Sequence, residues 1–137
     1  MSMFDNYPQS QDYIPDNRPK CHKPFKLDIM AGETATHTFE IPFNIVESCS
    51  DVEVIYKLGL TDIITKSVNL SGEDVLETKC NHSIITCRLS EEETKLFANT
   101  LLDAKVQLKF HMIDKSIAYS EIYKITLVDS LDVANEL

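Results

Sequence analysis

Between Ala104 and Met112 the chain alternates without a break. Ala104, Val106, Leu108, Phe110 and Met112 are small or apolar, and Lys105, Gln107, Lys109 and His111 between them are polar. Successive side chains of a strand point to opposite faces, so this period of two requires an extended segment with one buried and one wet face. Just upstream, Ser90-Glu91-Glu92-Glu93 has the Ser-x-x-Glu form of a capping box. It predicts a helix from Ser90 to about Thr100, packed down by Leu96 and Phe97. Three glutamates in its first turn suit the positive end of the helix dipole and need no cation to explain them. Downstream, Asp114-Lys115-Ser116 is a tight turn, and Ile117 to Val128 returns as the second arm of a long hairpin. The parity of that arm slips near Ser120-Glu121, where a β-bulge would reconcile its two halves.

The rest of the body reads the same way. Phe25 to Met30 is a short strand. Thr34 to Ile41 alternates, with Ala35, His37, Phe39 and Ile41 on one side and threonines on the other, until Pro42 ends the ladder. On that apolar side His37 is expected as a hydrogen-bonded core or rim residue. Asp51 to Leu58 turns Val52, Val54, Tyr56 and Leu58 inward and Glu53, Ile55 and Lys57 outward. Ile63 to Leu70 buries Ile64, Val68 and Leu70, and Lys66 on that side marks an edge strand. Val75 to Thr78 is a short strand or a connection. His82 to Leu89 buries Ile85, Cys87 and Leu89, with Cys87 acting as a small core hydrophobe. About seven short strands, turns every 8 to 12 residues and one helical excursion predict an all-β fold. The expected architecture is an antiparallel immunoglobulin-like β-sandwich with one short helix, spanning residues 25–137.

Residues 1–24 differ. They hold four of the five prolines and no periodic apolar pattern, which predicts an extended, Pro-rich N-terminal arm. Phe4, Tyr7, Tyr13 and Ile14 are spaced along it like anchors, and Arg18 opens a short basic run with Lys20, Lys23 and Lys26. Either the segment is a plain solvated leader, or it lies in a groove of a neighbouring subunit with those residues as its partner-binding set.

The formal charge of −9 argues against a general nucleic-acid or anionic-membrane binder. No apolar run approaches the roughly 20 residues of a membrane span, and the N-terminus lacks a signal-peptide core, so synthesis and use without secretion are expected. Cys21, Cys49, Cys80 and Cys87 form no Cys-x-x-Cys pair and read as free thiols. Cys21-His22 and Cys80-x-His82 lack the spacing of a structural zinc site, so no metal or other cofactor is expected. With three glycines there is no phosphate-cradling loop, no Gly-x-Ser-x-Gly elbow and no HExxH pair, and the expectation is a protein that is not an enzyme.

Four segments carry a resemblance: THTFEIPF (Thr36–Phe43), VEVIYKLG (Val52–Gly59), LSEEETKLF (Leu89–Phe97) and the stretch from Val106 to Asp132. Together the body resembles small virion structural proteins encoded by phages and prophages of Gram-positive and gut bacteria. It is more faintly similar to the immunoglobulin-like N-terminal domain of siphophage upper baseplate proteins. The resemblance covers about three quarters of the chain and leaves out the arm. Relatives often have a glycine in the final hairpin turn, where this chain has Asp114-Lys115-Ser116, so the turn type stays open. The resemblance implies a non-enzymatic virion component: a head decoration, head-fibre base or neck connector, made in the bacterial host cytoplasm. Its partners would be capsid, portal, neck or tail subunits and further copies of itself, bound through the arm and the sheet edges. A baseplate or tail module and a host immunoglobulin-like binding domain are the alternatives.

Overall fold

The structure is a computed structural model that describes residues 27–128. Among these residues nine strands form two sheets that share one core. The larger contains β1 (Asp28–Met30), β9 (Tyr123–Val128), β7 (Ala104–Met112), β3 (Cys49–Leu58) and β4 (Thr61–Ser67), in that order, with β8 (Ile117–Tyr119) also on β7. The smaller is β2 (Ala35–Ile41), β6 (His82–Leu89) and β5 (Val75–Lys79). This is the expected all-β, sandwich-like fold. One pairing departs from the antiparallel rule: β1 runs parallel to β9, with Ile29 opposite Leu127.

The alternation seen in the sequence is what builds the core. From the large sheet come Val52, Val54, Tyr56, Val106, Leu108, Phe110 and Ile125; from the small one come Phe39, Ile41, Ile85, Cys87 and Leu89, all buried. Central β7 pairs with β3 along its whole length, from Leu58 opposite Ala104 to Cys49 opposite Met112. Strand β4 lies at the edge of the large sheet, as Lys66 implied, and that lysine reaches Glu93 at 2.9 Å. Ile55, expected outward, is nonetheless buried between its cross-strand neighbours Thr65 and Gln107.

Two helical turns close the ends. The first, α1 (Ile45–Ser48), was not expected; the Asn44 side chain caps it by accepting from the Glu47 amide. The second begins at the predicted capping box, where Ser90 and Glu93 satisfy each other's amides. It is shorter than the spacing predicted: α2 (Glu91–Thr94) tightens into a 3-10 turn over Lys95–Phe97. The buried Thr94 hydroxyl explains the early tightening. It donates to the Glu91 carbonyl and accepts the Gly32 amide at 3.1 Å, tying the turn to the β1–β2 connection. Phe97 then reaches the core edge-on to Tyr56, whereas Leu96, expected to pack, is left exposed.

The hairpin turn is also resolved. Lys115 takes the left-handed conformation at φ +76° that glycine would hold without strain, and Asp114 stabilises the turn by accepting from the Ser116 amide. The parity slip falls where expected. β8 and β9 are separate segments on β7, and between them the Ser120 hydroxyl accepts the Leu108 amide at 2.9 Å in place of a strand carbonyl.

Candidate functional site

The histidines of the sandwich have structural partners. His37 is buried, with Nδ1 2.7 Å from the Tyr56 hydroxyl and Nε2 2.9 Å from the Asp28 carbonyl. The carbonyl only accepts, so Nε2 carries the proton and the tyrosine donates to Nδ1. Burial lowers the His37 pKa, opposed by the Asp28 carbonyl, and the ring is neutral. Burial likewise drives the Tyr56 phenol far above its ordinary range, with the adjacent Cys87 adding to the effect. On the outer face of the small sheet His82 lies between Glu40 and Glu77, 2.9 Å from each. Partial burial pushes the Glu93 carboxyl up, but the Ser90 amide and Lys66 outweigh it and hold the group below its usual range.

Of the two Cys/His pairs, one falls among the described residues and the other does not. Cys80 is exposed, the His82 nitrogens face glutamates, and Cys21 and His22 lie outside the described residues. Cys49 and Cys87 are buried thiols whose pKa values burial raises, that of Cys49 to about 11, so neither is an activated nucleophile. Asp51, Glu53 and His111 do meet on the outer face of the large sheet, close enough to share an ion. Their geometry has another cause: Glu53 accepts from His111 at 2.8 Å and Asp51 accepts from the Ser67 hydroxyl at 2.9 Å. The predicted arm residues Phe4, Tyr7, Tyr13, Ile14 and Arg18 all lie outside the described residues.

What stands out is apolar surface at the two ends of the large sheet. At one end the β3–β4 turn and the loop entering β7 meet, joined by the Gly59 amide donating to the Asp103 carbonyl at 2.8 Å. The pairing brings Leu60, Leu101 and Leu102 together as a tip; Leu60 is 96% and Leu101 104% exposed. Gly59 holds the turn in the left-handed conformation at φ +61°, which favours glycine, with the Leu102 side chain beside it. Behind the tip, Lys57, Lys105 and Lys124 stand directly opposite one another across β3, β7 and β9. Like charges in cross-strand pairs are destabilising. Lys57 is relieved by Asp62 at 2.8 Å, whereas Lys105 and Lys124 have no ion-pair partner among the described residues.

Toward the other end of β7 a cleft of about 340 Å³ opens between the end of β2 and the β8 edge. Pro42, Phe43, Phe110, Met112, Ala118 and Tyr119 line it, and its floor is the edge-to-face pair Phe43–Phe110, 5.2 Å between centroids. Glu121 stands at its rim. Exposed Ile113 and Ile117 continue the apolar surface beyond it. Sequence reasoning placed Phe110 and Met112 on the buried face but missed the tip altogether. Its signal was weak: leucines in Gly- and Asp-flanked loops, outside any periodic pattern.

No protein-family model matches the chain, and no curated protein matches it. No helix among the described residues is long and apolar enough to cross a membrane.

Proposed function

We propose that the chain is a non-enzymatic structural subunit of a bacteriophage virion, at the head surface, a head-fibre base or the neck. It would hold neighbouring subunits through its N-terminal arm and the ends and edges of its sandwich. The observation that carries this reading is the leucine tip. Three exposed leucines on adjoining loops make an apolar patch, and apolar patches are features of surfaces that bind other molecules. The polar chemistry supports the same reading, because the buried histidine and the buried thiols are built into the core instead of lining the cleft. The resemblance of the four sequence segments supplies the virion context.

Three measurements test it. The genes beside this one should encode portal, capsid or tail proteins, and purified particles should contain the chain in stoichiometric amount. Deleting residues 1–24 should leave the melting temperature of the sandwich nearly unchanged while abolishing incorporation. Particles that assemble without the chain, or a gene context devoid of virion genes, would overturn the reading.

A further inference from the structure

We infer that the chain covers one end of its own cleft: the residues before Leu27 continue β1 backwards along the open edge of β9, with Phe25 turned between the sheets and Lys23 beside Glu121. The N-terminal arm would then leave the sandwich at the rim of the cleft, away from the leucine tip. The contact lies within one molecule and holds whether or not the chain serves in a virion.

β1 runs parallel to β9 with Asp28 opposite Thr126, so each residue before Asp28 falls opposite one before Thr126. Counting back places Phe25 opposite Tyr123, Pro24 opposite Ile122 and Lys23 opposite Glu121, which lines the cleft. The other sheet gives the same place. The chain doubles back through the turn at residues 31–33 into β2, where His37 Nε2 meets the Asp28 carbonyl at 2.9 Å. From that contact β2 runs on to Ile41 and then to Pro42 and Phe43 at the cleft, while the segment before Asp28 runs back beside it to Phe25. Both registers bring Phe25 to the gap between the end of β2 and the start of β9.

Alternation decides which groups face β9. The Leu27 carbonyl accepts the Thr126 amide at 2.9 Å. Two residues back, the Phe25 carbonyl would accept the Lys124 amide in the same way, and the Phe25 amide would donate to the Ile122 carbonyl. No strand of the described residues lies beside Lys124 and Ile125 on that side. Pro24 falls on the other parity. The amide it lacks would point away from β9, as the Asp28 carbonyl does, which is where an edge strand tolerates a proline. Side chains alternate too: Ile29 is buried and Leu27 packs against the core, so Phe25 takes the inward parity. Lys23 would reach the rim, where Glu121 has no ion pair among the described residues. One cost comes with this path. Lys26 would stand opposite Lys124 and lengthen the row of lysines, on the solvent side where salt screens the repulsion.

The test combines residue-resolved amide exchange on the full chain with thermal melts of variants. In the wild type the Phe25 and Leu27 amides should exchange at least about tenfold more slowly than the Lys26 amide between them, because only the first two face β9. Phe25→Ala should lower the melting temperature by at least about 5 °C, whereas Phe4→Ala, the same loss outside the register, should leave it in place. Deleting residues 1–24 keeps Phe25 and should keep the melting temperature; deleting one residue more should lower it as Phe25→Ala does. A Phe25 amide that exchanges as fast as that of Lys26, or a Phe25→Ala chain that melts with the wild type, would each overturn the inference. Should Phe25→Ala fail to fold, the exchange pattern of the wild-type chain decides.

Discussion

The pair of His37 and Tyr56 offers a sharp test of what holds the two sheets together. Tyr56 belongs to the large sheet and His37 to the small one, and both side chains are fully buried. Tyr56→Phe removes one oxygen. The ring remains, along with its edge-on contact to Phe97 at 6.4 Å, so the hydrophobic contribution hardly changes. What is lost is the 2.7 Å hydrogen bond, and His37 Nδ1 becomes a buried acceptor without a donor. Orphaning a buried polar group costs about 1–3 kcal/mol. For a domain of this size that is about 5–20 °C in melting temperature. Urea and thermal unfolding followed by far-UV circular dichroism would measure it. The double variant with His37→Leu completes the cycle: with both polar partners gone, the two losses should fall short of additivity by about 1 kcal/mol. A Tyr56→Phe protein within 0.5 kcal/mol of wild type, a margin typical of neutral surface changes, or two substitutions that simply add, would show that this bond does not couple the sheets.

Other expectations follow from the same geometry. Phe110→Ala should cost about 3–5 kcal/mol, because it removes a buried ring and the floor of the cleft, whereas Lys109→Ala on the opposite face should cost well under 1 kcal/mol; equal effects in chemical denaturation would refute the facing of β7. The His37 pKa is lowered in the fold, so below about pH 6.5 the unfolded chain takes up a proton that the folded chain resists. Its contribution is complete above that pH and is lost as the pH falls, with a limiting slope of about 1.4 kcal/mol per pH unit, and urea midpoints between pH 7.5 and 5.5 should show a smaller decline in His37→Leu. Lys115→Gly should raise stability by about 0.5–1 kcal/mol by relieving the left-handed conformation at φ +76°; a lower melting temperature would mean that the lysine side chain stabilises the turn.

Most of the sandwich was legible because its signals are local. The alternations of Ala104–Met112, Thr34–Ile41 and Asp51–Leu58 each name a buried face, and Ser120-Glu121 announced the interruption between β8 and β9. Even α1 had a readable start, since Asn44 stands three residues before Glu47, although the pattern is too short to count without its tertiary setting. What the sequence hid depends on contacts far along the chain. The length of α2 is set by Thr94 meeting Gly32, 62 residues away, and the burial of Ile55 comes from strands on either side of it. The parallel pairing of β1 with β9 joins segments nearly a hundred residues apart and leaves no periodic trace. The tip was hidden for the same reason: the loops that carry Leu60 and Leu101 meet only where Gly59 bonds to Asp103.

The Ser120 clip has a mechanical consequence. At that point the ladder is irregular: the Ser120 amide donates to the Leu108 carbonyl, but the Leu108 amide goes to the Ser120 hydroxyl, and β8 and β9 pair with β7 as two separate leaves. The outer leaf, Ile117–Tyr119, is exposed at every residue and pairs over three positions only. It is therefore the part of the sheet expected to open first, in the manner of a local unfolding unit, while β9 stays closed behind it. Ala118 and Tyr119 ride on that leaf, so the mouth of the cleft has a hinge at Ser120. Amide exchange should find it as a fast-exchanging patch beside a slow one, with the boundary falling at a single serine.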